Sequence, residues 1–464
     1  MRAIRVVGLC AALSLVACNN WLDDPKTQSD PNTASNATPA QLFTAVQANI
    51  NIVLAGPNER LVEMWSQRMA GTDRQLLSYG NYQGLAANNY DADWTAVYDA
   101  GGLVDVLKVQ AAARSAGDRT YLGIGRVFEA MIMGTAADMW GDVPYSGIIA
   151  GDAIPALDNQ ADVYAHVQAV LDTAIADLGA NEGPGPGPLD LSFGGDAAKW
   201  AAAAHSLKAR YYVHTAKVVT TAYASAATEA AQGITDPAND LKMYSSAKAG
   251  EENLWFQFYR ERAGYMNAGK FFVDAMTARG DPRKAEYFAP AGNGQIGGAN
   301  PNVGLDNNTM SWLSATRGAA AFHQPIVTAD ETSLILAEAQ ARGGAAGTAI
   351  GTLNTERARH GLANVSAGLT GNALLMAILD EKYVATFQTY EGYVDYRRTC
   401  YPNLTPAPGA TQTGGNIPAR VYYASVEETA NPNIPSVPNQ PARNAMDRPA
   451  LSTSLDGTAC KGQK

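Results

Sequence analysis

Ala137-Asp138-Met139-Trp140-Gly141-Asp142-Val143-Pro144-Tyr145-Ser146 carries the signals that end a helix. Gly141 can take the left-handed conformation that stops a helix after Trp140, and Pro144 keeps the following chain extended. Upstream, across 121–139, Ile124, Val127, Phe128, Met131 and Thr135 recur at helical spacing. The same period returns along the chain. In 160–179, Val163, Val167, Val170, Leu171, Ala174, Ile175 and Leu178 form an apolar stripe, and 197–219 puts Trp200, Leu207 and Tyr211 on one face. Residues 329–342 and 346–360 predict a helical hairpin turning at Gly343-Gly344, and 372–389 carries Leu375, Ile378, Leu379, Tyr383 and Phe387. Paired helices of this length predict a mostly α fold of tetratricopeptide-like helix pairs, although no strict repeat of about 34 residues is present.

Between the helices lie long irregular stretches. Gly183-Pro184-Gly185-Pro186-Gly187-Pro188 is a breaker, 288–325 is rich in Gly, Asn and Ala, and 401–450 is rich in Pro. Loops of this length are usually functional or disordered. Alternation predicts short hairpins near 251–259 and 417–424.

The chain of 464 residues is 46% hydrophobic and 17% charged, enough to bury a large core. Its net charge of -10 argues against general nucleic-acid binding, which needs clustered Lys and Arg. Arg2 and Arg5, the apolar run Val6 to Ala17 and then Cys18 read as a secretory signal, and Leu15-Val16-Ala17-Cys18 fits a bacterial lipobox. The run is too short for a permanent span of about 20 residues; an ordinary signal cut elsewhere and a buried helix are the alternatives. On the lipobox reading, 1–17 is a signal peptide and 18–38 a lipidated tether. Residues 39–464 form one domain anchored by acyl chains without spanning. Losing Arg2 and Arg5 takes the net charge from -10 to -12. Of the four cysteines, Cys10 leaves with the signal and Cys18 takes the lipid, so Cys400 and Cys460 remain. In an oxidising space two leftover cysteines suggest one disulfide; two free thiols are the alternative.

Familiar catalytic patterns are absent or weak. Gly292-Asn293-Gly294-Gln295-Ile296-Gly297 matches a dinucleotide fingerprint but neither follows a strand nor opens a periodic helix. No P-loop, H-E-x-x-H or G-x-S-x-G occurs. His166, His205, His214, His323 and His360 show no His–His pair at i, i+4, so no metal site and no cofactor are assigned. Asp23-Asp24, Asp91 with Asp93, and Glu427-Glu428 are paired carboxylates on paper, but surface charge or helix caps explain them as well.

Aromatics are more informative. Tyr numbers 21 against 10 Phe. Tyr79, Tyr82 and Tyr90 follow Arg74 in one Gly/Asn-rich stretch, and Trp312 sits in the long 288–325 loop. Rings on loops stack on the C–H faces of sugars while Arg and Asn bind hydroxyls. Arg74, Tyr79, Tyr82, Tyr90 and Trp312 are therefore the candidate ligand contacts. The rings could equally pin the loops to the core, and Trp94 reads as a packing residue at a helix start.

Several stretches resemble the SusD/RagB family of outer-membrane nutrient-binding lipoproteins. These are Cys18 with Trp21-Leu22-Asp23; the 137–146 stretch; Gly195-Asp196, Lys199-Trp200 and His205-Ser206-Leu207-Lys208-Ala209-Arg210, with His205 where Asn is usual; Ala337-Glu338-Ala339 within 331–342, followed by Leu353-Asn354 and Arg357; Glu381-Lys382-Tyr383, Glu391-Gly392-Tyr393, Asp395 and Arg397-Arg398-Thr399; and Ile417-Pro418-Ala419-Arg420 with Tyr422-Tyr423. Cys400 replaces the usual Gly before Tyr401-Pro402. The matches run in order from 18 to about 433. The resemblance implies a loop-rich ligand face on a helical body and a lid on a TonB-dependent outer-membrane transporter. It also implies non-catalytic capture and handover of an oligosaccharide, the alternatives being a peptide or a glycoside hydrolase. Arg397 and Arg398, close to Glu391 and Asp395, read as a structural ion-pair network.

Overall fold

In the computed structural model, which describes residues 38–99, 101–447 and 453–460, the stripe at 121–139 lies in a helix spanning Arg119–Trp140. Asp118 caps its first turn by accepting from the Tyr121 N–H at 2.9 Å, which satisfies one of the donors every helix start leaves unpaired. The same carboxylate accepts from the Gly185 N–H at 3.0 Å and so fastens the Gly/Pro breaker to the helix start. At the far end Gly141 has φ +79° and ψ -108°. That is a positive-φ region suited to glycine, but not the compact left-handed turn expected. Gly134 serves packing instead: a Cβ there would fall 2.2 Å from the Tyr211 ring, so its bare backbone admits the Ala197–Thr215 helix at close range.

Each helix packs mainly on its neighbours in sequence. Leu103–Ala116 and Gln160–Ala180 flank Arg119–Trp140, and Ala197–Thr215 packs on Gln160–Ala180 and on Ala222–Ala230. Ala222–Ala230 meets Ala329–Arg342, which pairs with Ala346–Arg359 across the Gly343-Gly344 turn and with Gly371–Ala385. This is the nearest-neighbour logic of stacked helix pairs. Leu334, Ala337, Leu353, Leu374 and Ile378 close the last stack as fully buried apolar residues, each contributing about 1.5–3 kcal/mol if Leu or Ile.

The stack is interrupted between Ala230 and Ala329. Leu241–Met243 pairs antiparallel with Gln324–Val327, so both ends of the interruption are fastened together at its base. Met266–Ala268, inside the excursion, pairs with Met69–Gly71 from the N-terminal part. The expected hairpin at 251–259 is not formed. Leu254–Glu261 is a helix, because Asn253 caps it through the Trp255 N–H at 2.9 Å and Trp255 and Phe258 bury one face at i, i+3. Nor is there a hairpin at 417–424. That stretch is extended without a strand partner and wraps the end of the Arg119–Trp140 helix. Trp140 Nε1 donates to Tyr422 O at 2.8 Å, Arg420 Nη2 to Trp140 O at 2.7 Å, and Tyr423 Oη to Asp142 O at 2.7 Å.

Clustered charge in the last helices is structural and reaches across the stack. Arg398 grips Glu338 with two hydrogen bonds of 2.7 and 2.6 Å, and its Nε donates to Asp395 at 2.7 Å. Glu391 turns instead to His214 at 3.0 Å and Arg210 at 3.3 Å. Arg397 faces Asp447 at 3.6 Å rather than Glu391 or Asp395. A disulfide joins Cys400 to Cys460, with Cα atoms 5.9 Å apart, and holds the C-terminal segment to the end of the Glu391–Thr399 helix. Cys18, Asp23-Asp24 and the rest of the signal and tether up to residue 37 lie outside the described residues. Among the described residues no helix is long and apolar enough to cross a membrane.

Candidate ligand-binding face

The excursion and the segment after Met69 are woven into one surface. Thr72 N and Thr72 Oγ1 donate to Tyr265 O at 2.9 Å and to Gly264 O at 2.8 Å, and Leu305 N donates back to Thr72 O at 2.8 Å. Asn81 Nδ2 reaches Asn302 Oδ1 at 2.7 Å. The 288–325 loop adds a further layer through Ala268 N to Ser311 O and Lys270 N to Ala299 O, both at 2.8 Å. The two loops that carry the candidate contacts therefore share one face.

Trp312 is half-buried there. Its indole stacks on Tyr259, with ring centroids 4.5 Å apart and planes 12° from parallel. Trp255 and Phe258 lie behind, 6.0 and 6.3 Å away. Arg74 is exposed and holds its guanidinium 5.4 Å from the Tyr265 ring, a cation–π distance. Tyr79 is half-buried, and its hydroxyl accepts from Asn89 Nδ2 at 2.8 Å. In the same 288–325 loop, Asn302, Asp306 and Asn308 are exposed hydrogen-bonding groups. Half-open rings with polar groups beside them can hold an apolar sugar face and read its hydroxyls.

Two candidates do not join this face. Tyr82 is 0% exposed and Tyr90 1% exposed. Burial pushes both phenols well above their usual pKa, and Tyr90 packs edge-on to Tyr422 at 6.2 Å. Both rings pin the loop to the core and are corrected to packing residues. Trp94 is buried too, edge-on to Trp140 at 5.2 Å. Tyr259 and Tyr265 were missed. Tyr259 sits in the aromatic run 254–259, which alternation reads as a strand; the Asn253 cap was the available signal for a helix. Nothing local marks Tyr265.

The paired carboxylates hold structure together. Asp91 accepts from the Ser425 N–H at 2.7 Å, and Asp93 from the Asn58 N–H at 3.1 Å. Glu428 accepts from Gln440 Nε2 at 2.7 Å, and Glu427 from Asn431 Nδ2 at 3.1 Å. A separate cleft of about 810 Å³ lies on the other side of the Leu254–Glu261 helix. Leu254 and Gln257 line it together with Asn51, Ile52 and Tyr244.

Comparison with known proteins agrees with this architecture. The sequence profile of the SusD-like family, described as "Starch-binding associating with outer membrane", matches residues 31–424. Among curated proteins, none matches the chain in sequence. Among solved structures, the chain is similar to a chitin-binding SusD homolog from Flavobacterium johnsoniae, with TM-score 0.74 and 19% identity over 90% of this chain and 99% of that one. It is similar to a SusD/RagB family protein from Bacteroides thetaiotaomicron, with TM-score 0.71 and 18% identity over 90% of this chain and 100% of that one. A chitin-binding protein matches at 23% identity and TM-score 0.72, over 85% of this chain and 94% of that one.

Proposed function

The chain belongs to the SusD-like family, and from that premise we propose that it is a lipid-anchored outer-membrane protein that binds a nutrient oligosaccharide and passes it to a TonB-dependent transporter. The observation that carries the binding step is the Tyr259–Trp312 stack, half-open on the face where the two long loops meet. Stacking gains come from desolvating ring and sugar faces together, and the exposed Arg74, Asn302 and Asp306 of the two loops supply polar contacts that set orientation. Two of the similar structures are named for chitin binding, which makes β-linked N-acetylglucosamine oligomers the first probe.

No bond is broken in this reading: Asp91, Asp93, Glu427 and Glu428, the described carboxylates weighed for hydrolysis, make capping and tying contacts. The lipid on Cys18 keeps the protein beside its transporter and raises the effective concentration of captured ligand there. Titration calorimetry with chito-oligosaccharides and with starch fragments tests binding. Fractionation of Cys18→Ala cells tests the anchor. The variant should leave the membrane fraction, and its continued retention there would count against lipidation.

A further inference from the structure

Away from the ligand face, the pair Ala329–Arg342 and Ala346–Arg359 brings together three potential metal ligands that no His–His spacing reveals. Asp330 stands in the first turn of one helix, Glu356 in the last turn of the next, and His360 immediately after it. His360 Nε2 lies 2.9 Å from Asp330 Oδ2 and 3.3 Å from Glu356 Oε1. All three ligand atoms lie within 4.8 Å of one another.

Three features distinguish this cluster from an ordinary salt-bridge knot. The Glu356 side chain is fully buried, and its Oε1 is served by a long contact, His360 Nε2 at 3.3 Å, rather than by a well-formed hydrogen bond. The single imidazole Nε2–H is divided between two carboxylates, nearer to Asp330 at 2.9 Å than to Glu356 at 3.3 Å. A poorly satisfied buried carboxylate oxygen is costly. Second, Arg359 occupies the opposite edges of both carboxylates, with Nη1 at 2.8 Å from Glu356 Oε2 and 3.6 Å from Asp330 Oδ1. It leaves Oε1 and Oδ2 facing His360, as an outer partner that orients metal-binding carboxylates does. Arg359 is itself fixed by donating to Thr235 O at 3.0 Å. Third, Asp330 and His360 border a small cavity of about 120 Å³, which leaves room for a further ligand such as water.

The spacing also fits. With bonds of about 2.0–2.2 Å, neighbouring ligands around tetrahedral zinc stand about 3.3–3.6 Å apart; the His360–Glu356 separation of 3.3 Å meets this and the His360–Asp330 separation of 2.9 Å is shorter. One nitrogen and two carboxylate oxygens suit a first-row divalent ion better than calcium, which takes six to eight oxygens. We propose that Asp330 Oδ2, Glu356 Oε1 and His360 Nε2 form a binding site for a divalent transition-metal cation of the zinc type. The ion would replace the shared imidazole proton and clamp the two helices at the base of their hairpin.

The test uses the purified full-length protein and zinc itself, with cobalt as the spectroscopic substitute. The wild type is expected to retain one zinc per chain after gel filtration and to give a low-symmetry cobalt absorption band. Its melting temperature should rise with zinc. His360→Ala and Glu356→Gln should each weaken zinc binding by about tenfold or more and lose the cobalt band. Asp330→Asn serves where either variant melts early without metal. A chain that retains no zinc above background overturns the proposal. So does zinc binding that all three variants leave unchanged, since the ion would then sit elsewhere.

Discussion

Trp312 and Tyr259 stack at 4.5 Å although one belongs to the long irregular loop and the other to a two-turn helix. The contact joins the two parts of the excursion into one platform. Trp312→Ala and Tyr259→Ala should each weaken oligosaccharide binding by about 1–3 kcal/mol while leaving the thermal midpoint within a few degrees of wild type. Tyr82→Ala is the control: its ring is in the core, so it should lower stability by about 3–5 kcal/mol. Calorimetric titration beside thermal melts separates the two behaviours. Wild-type affinity in both platform variants would remove the stack from the site.

Protonation of His214 should be visible in the pH dependence of stability. Burial opposes its charge, but Asp138 at 2.8 Å and Glu391 at 3.0 Å outweigh that and raise its pKa to about 9. The unfolded value is about 6.5. A raised native pKa stabilises fully below the unfolded value, and the gain is lost as pH rises through the native value. Unfolding free energy should therefore fall between about pH 6.5 and about pH 9. Urea titrations across that window should show a shallower fall in His214→Gln. Identical slopes in both proteins would show that His214 is not the titrating group.

The Cys400–Cys460 disulfide closes a loop of sequence separation 60 that includes the Pro-rich segment wrapped around the Arg119–Trp140 helix end. Reduction, or the Cys400→Ser and Cys460→Ser pair, should cost about 2–5 kcal/mol. Denaturant midpoints with and without reductant measure it. Thiol titration of the unfolded, unreduced protein should find neither cysteine free.

How far the fold could be read depended on how local its causes are. The Arg119–Trp140 and Gln160–Ala180 helices were legible because their apolar stripes and terminal signals lie within the segments themselves. The 251–259 segment was misread because an aromatic-rich run carries strand propensity, while its helical burial comes from packing against Trp312, far away in sequence. The 417–424 alternation was real, but its partner is a helix end rather than a strand. At the site, residue type singled out Trp312 and Arg74, and the folded chain leaves the first half-buried and the second exposed. Tyr82 and Tyr90 could not be separated from Tyr79 without burial, which only the folded chain determines. The pairing of Asp330 with Glu356 and His360 likewise arises only when two helices fold back on each other.

The most direct test of the central claim is a glycan and peptide array on the lipid-free protein, residues 19–464, followed by product analysis of every bound glycan. The account predicts retention of one oligosaccharide class, recovered at its original length, with the signal lost in Trp312→Ala. Silence on every glycan, or release of shortened products, would contradict it.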